Sequence, residues 1–337
     1  MSHLKKKTPI VFVLSALFVI LLVQAFGGDV PAEKFRVRER VVKSRGLEAF
    51  YADLRDMGYA RGDKGAVLFR ETVIEPPCIP SFLRIYVASA PRNVERRKAI
   101  RETWAVWIQN VTVTFVIGKS DSDFDIAREA AKFGDILQGN FNDSYDNLVF
   151  KSVLMLSHFT SRCSAPYLLK TDDDIFVNVP ELVQFLIHGR PQGIVGCDKS
   201  RETKPIASSL ASLQAVKTFR KIKPIRFVAG AGYLIEKNSA YLLKSGCSLA
   251  TPIPVEDMFI TSRCAKKARV KTAHHGGFSC GRRLQRPCEM SHAFTGHHVS
   301  PSRRRDIRGW WPRAGLLATE FREFFKHLAG PSTNKLT

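Results

Sequence analysis

The chain contains no C-x₂-C pair, no internal repeat and no long low-complexity tract in its 337 residues. The first absence argues against a zinc site. Zinc-finger spacing and aromatic-rich RNP-like stretches are also missing, and that matters because the formal charge is +21. So basic a chain invites polyanions or anionic head groups. Its Lys and Arg are scattered, however, and the densest clusters, Lys5-Lys6-Lys7 and Arg303-Arg304-Arg305, are short and lie near the ends. A basic solvated surface accounts for this better than nucleic-acid binding. The hydrophobic share of 45% is enough to bury a core in one large domain with an appendage, or in two modest ones.

Charge is absent altogether between Pro9 and Gly28. About 20 apolar residues of helix span a bilayer core. Lys5 to Lys7 precede the stretch and Asp29 and Glu33 follow it, which keeps the N-terminus cytosolic and puts the rest across the membrane. A cleaved signal peptide is the rival, but the run is long for one and Gln24-Ala25-Phe26-Gly27-Gly28 is a poor cleavage site. Seven cysteines (Cys78, Cys163, Cys197, Cys247, Cys264, Cys280 and Cys288) suit an oxidising compartment, and their odd number leaves at least one thiol free or paired between chains. Asn110-Val111-Thr112 and Asn142-Asp143-Ser144 are candidate N-glycosylation acceptors.

The expected layout is a cytosolic tail at 1–8, a membrane anchor at 9–28, a stem at 29–77 ending at Pro76-Pro77, and a folded domain from 78. Strand and helix patterns then alternate. Strands are expected at Leu83 to Ser89, Val111 to Ile117, Ile136-Leu137, Tyr167 to Lys170 and Ile194-Val195. Helices are expected from Asn93 to about Trp107, Asp121 to Phe133, Tyr145 to Phe159 and Pro180 to Ile187. Such alternation predicts an α/β fold, a largely parallel sheet flanked by helices, with ligands beyond the carboxyl ends of the strands.

Asp172, Asp173 and Asp174 stand side by side at one such strand end. Adjacent like charges repel, and burial costs each its hydration. A fold accepts this most readily where a divalent cation neutralises them. Hard oxygen ligands suit Mn²⁺ or Mg²⁺, usually shared with phosphate oxygens. A solvated acidic loop capping the next helix would show the same triplet. Arg92, Arg96, Arg97 and Arg101 cluster at a helix start that would attract a diphosphate, or else form a basic solvated face. Glu256-Asp257 follows a proline-stiffened approach. One of the two carboxylates would take a proton from an acceptor hydroxyl, or both would simply charge a helix start. Ala229-Gly230-Ala231-Gly232-Tyr233 would let backbone approach a sugar, or serve tight packing.

Together these stretches carry a resemblance. Ala88 to Asn93, Arg96 to Trp104, Gly134-Asp135-Ile136, Phe141 to Leu148 with Lys151, Lys170 to Asn178, Gly230 to Tyr233 and Glu256-Asp257 occur in family order. From about Leu83 to about Trp311 the chain resembles the β-1,3-galactosyltransferase family of inverting glycosyltransferases, which also includes β-1,3-N-acetylglucosaminyltransferases. The resemblance implies a GT-A type fold, a UDP-sugar donor, Mn²⁺ or Mg²⁺, and a glycan acceptor on glycoprotein or glycolipid. It implies a single-pass type II protein of the Golgi membrane with a luminal catalytic domain at 78–315 and an extension at 316–337. Asp257 resembles the catalytic base. Asp174, Asp172 and His297 resemble metal ligands. Ser89, Arg92, Arg97, Arg101, Asn147, Lys151, Asp172 and Asp173 fall on the donor side, and Gly230, Gly232, Tyr233 and Glu256 on the acceptor side. The chain departs from the family's usual pattern at Val149, at Ser262, over Ser200 to Lys223 and in the basic stretch Cys264 to Gly296. These departures bear on the acceptor more than on catalysis. Transfer of N-acetylglucosamine or N-acetylgalactosamine in place of galactose is the close enzymatic alternative. A catalytically silent luminal protein on the same fold is the alternative from another class.

Overall fold

Burial on both faces marks the centre of the sheet. All six residues of Leu83–Ala88 are buried, with Leu83, Ile85 and Val87 in one apolar cluster and Tyr86 in the other. A strand covered on both sides reads as such a continuous run. A computed structural model describes residues 50–56, 64–105, 110–121, 123–163, 165–199, 226–281 and 291–296. The expected anchor at 9–28, the tail, the segment Ser200 to Lys223, His297, Cys288 and the extension at 316–337 lie outside the described residues. Among the described residues no helix is long and apolar enough to cross a membrane.

The elements in chain order are β1 (Thr72–Ile74), β2 (Leu83–Ala88), α1 (Val94–Arg101), β3 (Val111–Lys119), α2 (Asp123–Phe133), β4 (Ile136–Asn142), α3 (Leu148–Arg162), β5 (Tyr167–Asp172), β6 (Phe176–Val177), α4 (Val179–Gly189), β7 (Ile194–Asp198), β8 (Val228–Glu236), α5 (Lys237–Leu249), α6 (Glu256–Met258), α7 (Ala265–Ala268), β9 (Thr272–His274) and β10 (Thr295–Gly296). A π-helical turn, Phe259–Cys264, joins α6 to α7. The main sheet has eight strands in the order β1-β4-β3-β2-β5-β8-β7-β9. Its centre, β4-β3-β2-β5, is parallel. β8 runs antiparallel to both β5 and β7, so the sheet reverses direction beside the acidic triplet. A two-stranded pair of β6 and β10 lies beyond it.

Several boundaries differ from the sequence expectations. The packed unit begins well before Pro76-Pro77. Phe50 and Leu54, four apart on a helical turn, are fully buried, and β1 joins the sheet edge against β4. A backbone approach fixes this segment, since a Cβ on Gly65 would lie 2.2 Å from the carbonyl oxygen of Cys247. Of the residues expected as stem, Phe50, Leu54 and Leu68 therefore belong to the core, and Thr72–Ile74 to the sheet edge. α1 stops at Arg101 rather than near Trp107. α3 starts at Leu148 rather than Tyr145, because Ser144 Oγ accepts from the Asn147 amide and closes a turn first. Asn178 caps α4 as its type suggests, accepting from the Glu181 amide with Pro180 in the first turn.

Disulfides join Cys78–Cys163, Cys197–Cys280 and Cys247–Cys264, with Cα atoms 5.3, 5.3 and 4.4 Å apart. The first two close long loops, which is where a crosslink most restricts the unfolded chain. Asn110 and Asn142 are both exposed, the former at a left-handed φ of 60°.

Candidate active site

Strand periodicity sorts the end of β5. Residues two apart share a face, so Lys170 and Asp172 point one way and Thr171 and Asp173 the other. Asp173 is buried and its oxygens are occupied. They accept from Ser89 Oγ at 2.7 Å, Asn93 Nδ2 at 2.8 Å and Arg96 Nη1 at 2.8 Å. Asp173 thus pins the β2–α1 turn to β5. Asn93, the expected start of the helix, spends its side chain on this contact and makes no cap bond. Asp172 and Asp174 are half-buried and face a cavity of about 690 Å³, within the usual size range for small-molecule sites. Burial raises the Asp172 carboxyl, Lys170 opposes the rise, and Glu256 and Asp174 add to it. Two hard carboxylates with mutual repulsion, open to a cavity, fit a divalent cation such as Mn²⁺ or Mg²⁺. The same cavity is walled by Arg92, Arg96, Asp143, Tyr145 and Lys151, so cationic side chains and the acidic pair share one space.

The second carboxylate pair sits where β8 meets α6. Asp257 accepts from the Gly230 amide at 3.1 Å and from the Met258 amide at 2.8 Å. Its carboxyl is pushed up to about 6 by burial and by Glu256, against the pull of Lys170 and the two amides. Such a value suits a proton acceptor near neutral pH. Glu256 is buried and fully engaged. Its Oε1 accepts from Ser152 Oγ and Tyr233 Oη at 2.6 Å each, and its Oε2 lies 3.2 Å from Lys170 Nζ. Lys170 also donates to Asp172 Oδ1 at 2.8 Å and to the Gly230 carbonyl at 2.9 Å. One buried ammonium therefore touches both carboxylate pairs.

A family model described as galactosyltransferase matches residues 95–276, more than half of the chain. The chain belongs to this galactosyltransferase family. It is 34% identical over 233 residues to β-1,3-galactosyltransferase 4 of Canis lupus familiaris, covering 55% of this chain and 61% of that protein. Against the Mus musculus protein of the same name it is 30% identical over 261 residues, covering 66% and 70%. N-acetyllactosaminide β-1,3-N-acetylglucosaminyltransferase 4 of Homo sapiens is 29% identical over 209 residues, covering 59% and 55%. The chain thus spans roughly three fifths of the dog relative's length. Among solved structures, a mannosyltransferase from Pyrobaculum calidifontis in complex with GDP-Man and Mn²⁺ is 13% identical, with a TM-score of 0.34 and coverage of 73% and 66%. Superposition at that level adds nothing to the family assignment.

The family's motifs meet in space, but several side chains do other work than expected. Arg97 is 0% exposed. Its guanidinium bonds both Glu129 oxygens, Ser89 Oγ and the carbonyls of Ala90 and Pro91. Arg101, one turn on, forks onto Asp135 and also reaches Glu129. Spacing by four puts both on the helix side that packs against α2, away from the cavity. Neither is among the residues lining the cavity, whereas Arg92 and Arg96 are. Arg97→Met should accordingly cost about 1–3 kcal/mol of stability, since it takes this partner from the Ala90 and Pro91 carbonyls and leaves Glu129 to Arg101. Donor affinity per folded molecule should change little, as thermal melts with titration of UDP on the folded fraction will show.

Asn147 is likewise buried away from the cavity, its Nδ2 bonded to Asp53 and to the Asn142 carbonyl. Lys151 lines the cavity, but its ammonium is held by the Ser89 carbonyl at 2.6 Å and by Asp143. Tyr233 is fully buried beneath Glu256 rather than facing an acceptor. Gly232 is demanded by packing, since a Cβ there would lie 2.7 Å from Thr295 Cγ2. Gly230 serves through its amide and carbonyl.

Sequence reasoning left Asp143, Tyr145 and Lys170 without a role at the site. Asp143 joins the Gly118 amide to Lys151, and Tyr145 stands 85% exposed at the cavity. Lys170 had a readable signal, as it lies two residues before Asp172 on a strand.

Proposed function

We propose that the chain is a single-pass type II glycosyltransferase of the Golgi membrane, of GT-A type. It transfers galactose from UDP-galactose in β-1,3 linkage to a glycan on glycoprotein or glycolipid, with inversion. The observation that carries this reading is Asp257. It is a carboxyl raised to about 6, joined through Gly230 and Lys170 to the Asp172 side of a cavity that also holds Asp174, Arg92 and Arg96. Asp257 accepts the proton of an acceptor 3-hydroxyl as its oxygen attacks the anomeric carbon from the face opposite UDP. The carbon–oxygen bond to the diphosphate breaks, and UDP leaves with that electron pair. Asp172 and Asp174 would hold Mn²⁺ or Mg²⁺, which supplies charge neutralisation at the leaving diphosphate. Arg92 and Arg96 supply further positive charge at the cavity wall. His297 is proposed as a further ligand. It follows Gly296, which pairs with Phe176 just past the triplet.

N-acetylglucosamine or N-acetylgalactosamine is the second donor reading. Relatives named as N-acetylglucosaminyltransferases stand at 28–29% identity and favour the former. UDP release from UDP-galactose, UDP-N-acetylglucosamine and UDP-N-acetylgalactosamine, each with and without Mn²⁺ and simple acceptor glycosides, separates these. Fastest acceptor-dependent release from UDP-galactose is expected, and release from none would leave a silent member of the fold. The luminal placement rests on the three disulfides and on Lys5 to Lys7 before an uncharged span. Digestion of the catalytic domain in intact vesicles would refute it.

A further inference from the structure

Lys170 is 3% exposed and sits between the two carboxylate pairs of the site. An ammonium has three donors, and three acceptors surround this one: Asp172 Oδ1 at 2.8 Å, the Gly230 carbonyl at 2.9 Å and Glu256 Oε2 at 3.2 Å. Asp172 belongs to the cation side of the cavity. Glu256 and Gly230 belong to the base side, since Glu256 precedes Asp257 and the Gly230 amide bonds its carboxylate. Asp257 itself has no bond to Lys170; the link to it runs through neighbours. One positive charge thus serves two carboxylates of different duty, in a dry position where such contacts are strong.

We propose that Lys170 is a positioning residue that couples the two halves of the site. A cation arriving at Asp172 competes with Lys170 for that carboxylate. Lys170 then gives more of its charge to Glu256 and the Gly230 carbonyl, firming the segment that orients Asp257. Coupling of this kind is reciprocal: whatever changes the hold of Glu256 on Lys170 must change cation affinity at Asp172. This rests on the donor-site reading above.

Glu256→Gln keeps an oxygen for Ser152 and Tyr233 but removes the negative charge facing Lys170. The ammonium is left with Asp172 as its one carboxylate and grips it harder, so cation binding weakens. Deleting any nearby negative charge also weakens cation binding through space, and Asp257→Asn measures that contribution, because Asp257 makes no bond to Lys170. Tyr233→Phe removes a bond to Glu256 Oε1 without touching Oε2, and it reports any loosening of Glu256 as such.

The experiment is calorimetric titration of Mn²⁺ in the presence of UDP at pH 7.5, with no sugar transfer involved. It uses the full chain and the three variants, each checked by thermal melting. Glu256→Gln is expected to weaken Mn²⁺ binding about 5- to 10-fold more than Asp257→Asn does, while Tyr233→Phe stays near the parent. Equal losses in Glu256→Gln and Asp257→Asn, or an equal loss in Tyr233→Phe, would overturn the coupling and leave the donor-site reading intact. No Mn²⁺-dependent UDP binding in the parent protein would overturn both. In a Lys170→Met background, provided it melts cooperatively, the excess loss on adding Glu256→Gln should vanish, and its persistence would also overturn the proposal.

Discussion

Asp257→Asn should lose about 100-fold or more in transfer rate, the scale of a removed general base, while Mn²⁺-dependent UDP binding stays within a few-fold of the parent. The asymmetry follows from position. Asp257 is held by the Gly230 and Met258 amides at the start of α6. It is not among the residues walling the cavity that holds Asp172 and Asp174. If Asp257 only charged a helix start, its loss would cost roughly 1 kcal/mol of stability and leave turnover nearly normal. UDP affinity, melting temperature and turnover on one preparation separate these, and near-normal turnover would leave the base unassigned. The parent enzyme should show the matching pH dependence. A base must be deprotonated to act, and this carboxyl is raised to about 6. Acceptor-side turnover should therefore fall about tenfold per pH unit on the acid side of a limb near 6. A bound cation stabilises the carboxylate and draws that limb lower. The stability linkage has its own sign. A carboxyl raised in the folded state binds its proton more tightly there than in the unfolded chain. That contribution is complete below about 4 and is lost as pH rises through about 6.

Asp174→Ala should abolish transfer and weaken Mn²⁺-dependent UDP binding by at least about 100-fold, the upper scale seen even for outer-sphere changes at metal sites. The fold should survive, because Asp174 is half-buried at the cavity edge and the bonds that pin the β2–α1 turn are made by Asp173. Asp173→Ala, next door, should behave in the opposite way. Asp173 holds Ser89, Asn93 and Arg96 together, so its loss should appear first as a lower melting temperature. Full activity in a folded Asp174→Ala protein would remove the cation from this edge of the cavity.

Physically, the triplet is one charged cluster divided by the pleat. Asp172 looks toward Lys170 and the base side, Asp173 into the β2–α1 turn, and Asp174 lies past the strand end at the cavity. Mutual repulsion among the three is offset differently for each: by the Lys170 ammonium at Asp172, by three hydrogen-bond donors at Asp173, and by the charge of Arg96 near Asp174. This division explains why three adjacent identical residues should give different phenotypes.

Much of this was legible in the chain. Alternating apolar runs and amphipathic stretches predicted the parallel centre of the sheet. The order of motifs predicted the family, and position at a strand end predicted the acidic triplet's place beside a cavity. The local signal also held at Pro180, which stands in the first turn of α4. What the sequence could not disclose is which partner each charged side chain chose. Arg97 and Arg101 look like anion binders because they stand at a helix start, yet Glu129 and Asp135, about thirty residues away, claim them. Asn147 is taken by Asp53 from a segment read as stem, and Tyr233 lies beneath Glu256. Lys170 meets Glu256 only because β8 runs antiparallel beside β5, putting Gly230 and Gly232 at the triplet's end, and the chain then returns through α5 to place α6 there. Periodicity reports which face a residue occupies. Which charges are neutralised on that face, and which remain open to the cavity, depends on contacts between residues far apart in sequence, and these the tertiary structure alone decided.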